Sequence, residues 1–265
     1  MSQWRIDRQE YLEHNKTIFE VVNIADEDGN IINTFGAASN VIIAAGGLAG
    51  YTGVHKYGAV FGTALSTFST VWTAADTSAT ALYNWGHGAG TLSVVSTSGS
   101  DVTDVTIQGL DANYEFVEET FTLTGTTPVT GSTSFTKVNR AFMQTETNVG
   151  KIQASIGGVV VTEIGADFGQ TLQCFYTIPA GKTGYMTNIN ASASKNQSTD
   201  LFLYQRPFGG AFRVVSTISL NQSNQSIDFP VPLKFTEKTD IDLRVQGSSN
   251  ATISVDFTII LVDNA

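Results

Sequence analysis

The feature that most constrains the fold is an alternation of period two. Across residues 252–261, Ile253, Val255, Phe257, Ile259 and Leu261 take every second position, interleaved with Ser254, Asp256, Thr258 and Ile260. Successive side chains of a β-strand point to opposite faces, so this pattern specifies a strand with one face buried. Similar segments recur at 91–96, 102–110, 116–124, 134–144 and 152–164, then at 171–178, 184–191, 201–206, 212–220, 227–231 and 241–247. Turn formers separate them, among them Ser98-Gly99-Ser100, Asp111-Ala112-Asn113 and Gly157-Gly158. The expected fold class is all-β: two antiparallel β-sandwich, jelly-roll-like domains preceded by an N-terminal arm and hairpin.

The run Gly165-Ala166-Asp167-Phe168-Gly169 parts the two groups of strands. The expected organisation is an arm and hairpin over 1–45, a first β-domain over 46–166 and a C-terminal sandwich over 167–265. Residues 1–18 scatter apolar side chains among charged ones and read as an arm or a short helix. Segments 19–25 and 31–35 flank Asp26-Glu27-Asp28-Gly29-Asn30, where Asp-Gly predicts a hairpin. A calcium loop is not expected there. Its glycine would stand sixth from Asp26 rather than fourth, and its twelfth residue would be Glu, where this chain has Ala37.

Within the strands one residue breaks the pattern: Glu119 falls in phase with the apolar Val117, Phe121 and Leu123. Between 46 and 90 the alternation fades into small residues punctuated by Tyr51, Tyr57, Phe61, Phe68, Trp72, Tyr83 and Trp85. This reads as a loop-rich segment. Its aromatics either plug the mouth of a sandwich or form a binding surface, with Trp72, Tyr83 and Trp85 as a stacking platform for sugar rings.

Charge narrows the function. Only 14% of residues are charged, against about 25% in ordinary soluble chains, and the net charge is −10 without a basic run. A partner rich in phosphate, such as nucleic acid, is disfavoured. A surface short of long charged side chains suits association with copies of itself or with a larger assembly. The opening residues lack a signal-peptide core, and the longest apolar run, Val41-Ile42-Ile43-Ala44-Ala45, is too short to span a bilayer, so synthesis in a cytoplasm and no membrane partner are expected. The single cysteine, Cys174, is expected to be a core residue.

No stretch assembles a reactive centre. Ala180-Gly181-Lys182-Thr183 has Tyr176 where a phosphate-binding loop needs glycine, and a strand follows instead of a helix, so it reads as a turn. His14, His55 and His87 lack the spacing of local metal ligands, and no Gly-x-Ser-x-Gly elbow occurs. The expectation is a protein without enzymatic activity, cofactor or metal.

Several segments together resemble a family. Trp4-Arg5-Ile6-Asp7-Arg8, 16–22, 28–40 and Val54-His55-Lys56-Tyr57-Gly58 look like the opening of a virion structural protein of tailed bacteriophages of aquatic bacteria, cyanobacterial phages included. Segments 106–114 and 130–141 resemble its middle strands; 176–183, 229–232 and 237–243 resemble its C-terminal domain. The resemblance implies a capsid decoration, or cement, protein on the capsid exterior, made in the host bacterial cytoplasm. Its partners would be the major capsid protein and itself, as a homotrimer, with a host-surface glycan as a further partner. A tail, neck or head-fibre component is the alternative within the family, and a carbohydrate-binding module the alternative outside it. The arm and hairpin would grip the shell, which makes Trp4, Arg5, Ile6, Tyr11, Phe19, Phe35, His55 and Tyr57 the expected interface residues.

Overall fold

The computed structural model describes residues 24–25, 31–32, 36–61, 67–75, 80–194, 199–220, 224–247 and 251–264, with side chains from Asn40 onward. They belong to two compact units, Met1–Gly47 and Leu48–Ala265. In the first, β1 (Ile24–Ala25) pairs antiparallel with β2 (Ile31–Ile32), the hairpin that the Asp-Gly spacing predicts. The residues of the rejected calcium loop, Asp26, Asp28 and Asn30, lie outside the described residues, as does the arm over 1–18. Helix α1 (Gly36–Ala44) follows and was not expected. Ala37, Ala38 and Ala44 favour helix. The helix stops at Gly46, whose φ of 69° lets the Gly46 amide donate to the Ile43 carbonyl and the Gly47 amide to the Ile42 carbonyl.

The second unit is built of antiparallel strands: β3 (Tyr51–Val60), β4 (Ser69–Thr70), β5 (Gly90–Ser96), β6 (Asp104–Leu110), β7 (Phe116–Thr122), β8 (Val129–Phe135), β9 (Lys137–Met143), β10 (Ile152–Ile156), β11 (Val159–Ile164), β12 (Phe175–Thr177), β13 (Lys182–Ala193), β14 (Thr199–Arg206), β15 (Arg213–Leu220), β16 (Asn224–Phe235), β17 (Asp240–Gly247) and β18 (Ile253–Asp263). They form four sheets. One sandwich pairs the order β11-β10-β5-β8 with β7-β6-β9; the other pairs β12-β17-β14-β15, with β4 also on β17, with β16-β13-β18-β3. The expected all-β class holds. Strand β18 buries Ile253, Val255, Phe257, Ile259 and Leu261, the apolar half of its alternation. The segment read as one strand over 134–144 is two, because the chain leaves one sheet at Thr136 and enters the other.

Glu119 stands at a seam. Its Oε1 accepts hydrogen bonds from the Ser132 amide at 2.7 Å and hydroxyl at 3.1 Å, and its Oε2 accepts one from the Thr133 amide at 3.1 Å. The carboxylate joins β7, the margin of one sheet, to β8, the margin of the other. A charged group in the apolar phase is stable here because backbone donors surround it.

The boundary expected at 166–169 does not part the chain at its contacts. Strands β3 and β4, assigned from sequence to the first domain, pair with β18 and β17. Residues 171–174 then lace the sandwiches together: Thr171 donates its amide to Ala141, Cys174 donates its amide to Val71, and Leu243 donates to the Cys174 carbonyl. Asp167 and Gly169, both at φ 65°, make a tight turn on a continuous core, which composition alone reads as a linker. Strand β3 was hidden in the segment read as loop, since Gly53, Lys56 and Gly58 interrupt its alternation. Gly58 is required. A Cβ there would lie 2.5 Å from the Cys174 nitrogen and 2.7 Å from the Val71 carbonyl oxygen.

Candidate functional site

The register of the β16-β13-β18-β3 sheet determines what its outer face displays. In β13 and β18 the residues Ile189, Ala191, Val255 and Phe257 turn into the core, so Asn188, Asn190, Ser192, Ser254, Asp256 and Thr258 turn out. Pairing sets them in rungs. One runs His55–Thr258–Asn188–Asp228, the next Tyr57–Asp256–Asn190–Ser226, and a third holds Ser254, Ser192 and Asn224.

The middle rung is a chain of hydrogen bonds. The Asn190 amide donates to Asp256 Oδ1 at 2.8 Å, and the Ser226 hydroxyl donates to Asn190 Oδ1 at 2.7 Å. Beside it, the Tyr57 hydroxyl lies 3.5 Å from Ser254 Oγ, and His55 Nδ1 lies 3.3 Å from Thr258 Oγ1. Tyr57, Asn190, Ala191, Ser192, Asn224, Gln225, Ser226, Ser254 and Asp256 line an open groove of about 380 Å³. The face presents amide, hydroxyl and carboxylate groups side by side.

Of the interface residues expected from sequence, His55 and Tyr57 lie here, two positions apart on β3 and both exposed. Trp4, Arg5, Ile6, Tyr11, Phe19 and Phe35 lie outside the described residues. Asn190, Ser226, Ser254 and Asp256 join Tyr57 here and were not expected from sequence. Asn190, Ser254 and Asp256 occupy the polar half of the alternation in 184–191 and 252–261, while Ser226 falls just before the segment 227–231 and carries no such signal.

The other aromatic cluster is structural. Trp72, Tyr83 and Trp85 are buried, at 1%, 4% and 8% exposure, so they form no platform for sugars. They pack with Phe175 by edge and stacked contacts, with ring centroids 4.2–5.9 Å apart. This is the plugging arrangement. Around it lies a charged network: Arg206 donates to Asp240 Oδ2 from Nε at 2.8 Å and from Nη2 at 2.5 Å, Lys137 Nζ is 3.4 Å from Asp240 Oδ1, and Arg244 Nε donates to Asp242 Oδ2 at 2.7 Å. The Trp85 indole also donates to Asp242 Oδ2, at 2.9 Å.

Burial pushes the Asp242 pKa up, against the Arg244 guanidinium and its hydrogen bonds. Burial likewise pushes Lys137 and His87 down and the Tyr83 phenol up. The Tyr83 hydroxyl and His87 Nε2 are 3.0 Å apart. Lys137 belongs to one sandwich and Asp240 to the other, so the network fastens the two together.

A third feature is an edge. Strand β15 ends its sheet, and no described strand pairs with its outer side. Between Arg213 and Leu220 it carries Val214, Val215, Ser216, Thr217, Ile218 and Ser219, with no proline, acid or lysine. Exposed edges are normally protected by such residues, as on β16, which has Asp228, Pro230, Pro232 and Lys234.

These features define an all-β protein of two fastened sandwiches with a polar, grooved sheet face and an edge strand, β15, without proline, acid or lysine. Neither a protein-family model nor a curated protein matches the chain. Among solved structures it is similar to infectious bursal disease virus, Gt strain, with 12% identity and a TM-score of 0.20, covering 82% of this chain and 78% of that one. It is also similar to the VP2 subviral particle of the same virus, with 12% identity and a TM-score of 0.22, covering 82% and 72%. Similarity at such scores carries no functional argument.

Proposed function

We propose that the chain is a non-enzymatic structural component of a bacteriophage particle: a decoration protein on the outside of the major capsid shell, present in many copies. The observation that carries the reading is the β15 edge, free of proline, acid and lysine although bulged at Val215, on a surface poor in charge, which suits lateral association in a repeating assembly. The sequence resemblance supports it independently. Residues 1–45, including Trp4, Arg5, Ile6, Tyr11, Phe19 and Phe35, grip the shell, and each bound copy stabilises the lattice by mass action.

The test is quantitative mass spectrometry of purified particles together with binding to empty shells. A copy number comparable to that of the major capsid protein is expected, with shell binding lost on deletion of residues 1–40. A copy number like that of a tail ring would overturn the decoration role in favour of a tail, neck or head-fibre component. Thr217→Lys, on an exposed position of β15, is expected to lower the oligomeric state in sedimentation.

A further inference from the structure

We infer that the outer face of the β16-β13-β18-β3 sheet binds a neutral saccharide in the groove beside Tyr57, whether or not the chain decorates a capsid. Its groups match the chemistry of a sugar. The hydrogen bonds from Asn190 to Asp256 and from Ser226 to Asn190 fix the planes of the amide and the carboxylate. They leave Asp256 Oδ2 and the second Asn190 N–H without a partner among the described residues. A ligand therefore meets one strong acceptor and one donor, preoriented on neighbouring strands about 4.8 Å apart. That spacing suits a pyranose ring bridging two strands through its hydroxyls.

The Ser254 hydroxyl keeps its proton for a ligand, while the Ser226 hydroxyl, whose proton goes to Asn190, offers lone pairs only. Tyr57, 40% exposed, stands at the wall of the groove. Its ring face is electron-rich and accepts the weakly positive C–H face of a sugar, while its hydroxyl remains near Ser254.

Charge selects the class. Asp256 and Asp228 lie on this face and the chain carries −10, so sialylated, sulfated and phosphorylated ligands are repelled. The groove of about 380 Å³ is at the lower end of small-ligand sites, ~300–1,000 Å³, which accommodates one or two sugar rings.

The test is an array of neutral hexose and N-acetylhexosamine oligosaccharides with sialylated and sulfated counterparts, followed by titration calorimetry on the best binder. Binding to neutral glycans is expected, weakened about tenfold or more in Tyr57→Ala and in Asp256→Ala, a loss of about 1.4 kcal/mol each. Thermal melting of the variants guards against misfolding, and Tyr57→Phe, which keeps the ring, is expected to retain most of the affinity. Binding to no glycan, binding only to anionic glycans, or neutral binding unchanged in both alanine variants would each overturn the inference.

Discussion

Lys56 carries the sharpest energetic prediction. It sits on β3 between His55 and Tyr57 but turns inward, is 7% exposed, and donates from Nζ to the Asn139 carbonyl on β9. Burial lowers its pKa from 10.5 to about 8, with Cys174 opposing and Arg140 adding to the shift. Holding the ammonium in this site at pH 7 therefore costs about 3 kcal/mol, at ~1.4 kcal/mol per unit. Lys56→Met keeps all but the last atom of the side chain's length and removes the charge. It forfeits one charge-assisted hydrogen bond and leaves a buried carbonyl without that donor, about 2 kcal/mol. The net expectation at pH 7 is a gain of about 1 kcal/mol, or a rise of about 2–4 °C in Tm for a unit of this size.

The pH dependence has a definite sign. The folded pKa is depressed, so between about 8 and 10.5 the native state is neutral while the unfolded state still holds its proton. Native wild-type protein gains stability as pH rises through that window. The advantage of Lys56→Met is then full below about pH 8 and shrinks toward pH 10.5, and shifts of other groups cancel in the difference. Urea denaturation of both proteins at several values between pH 6 and 10.5 measures it. A variant less stable at pH 7, or an advantage that stays constant with pH, would refute the reasoning.

Further predictions follow from single contacts. Gly58→Ala forces a Cβ against the Cys174 nitrogen and the Val71 carbonyl, both backbone, and is expected to cost about 2–3 kcal/mol, read as a lower urea midpoint. Glu119→Ala removes three acceptor contacts at the β7–β8 seam and should cost about 2 kcal/mol, with faster hydrogen exchange at the Ser132 and Thr133 amides. Glu119→Gln, which keeps one acceptor oxygen, should lose about half as much. Cys174 is fully buried and burial pushes its thiol pKa up, so thiol reagents should label it in urea and not in buffer.

Much of the fold was legible because burial writes itself into alternation. Strands β5, β6, β10, β13, β14, β17 and β18 each bury alternate or nearly continuous apolar residues, a signal local to the chain. Strand β3 was illegible for an equally physical reason. Its inward positions are filled by Lys56 and Gly58, which are right only because Asn139 and Cys174 approach them from more than eighty residues away. The same holds for Trp72, Tyr83 and Trp85: their types fit a binding surface as well as a plug, and only their packing against Phe175 decides between the two.

The groove shows the same limit most fully. Tyr57, Asn190, Ser226 and Asp256 are unremarkable one at a time, in a chain where Asn, Ser and Thr abound. They become a rung only when β3 and β13 take their places on either side of β18 and β16 pairs with β13, which sets all four on one face of one sheet. A one-residue slip in any of these ladders would turn the slipped strand's outward side chain into the core. The buried Val255, Phe257, Ile189 and Ala191 forbid that slip, since it would expose them. The apolar half of the alternation therefore does more than stabilise the sandwich: by fixing register to the residue, it fixes which polar groups meet across strands, and so the binding chemistry of the outer face.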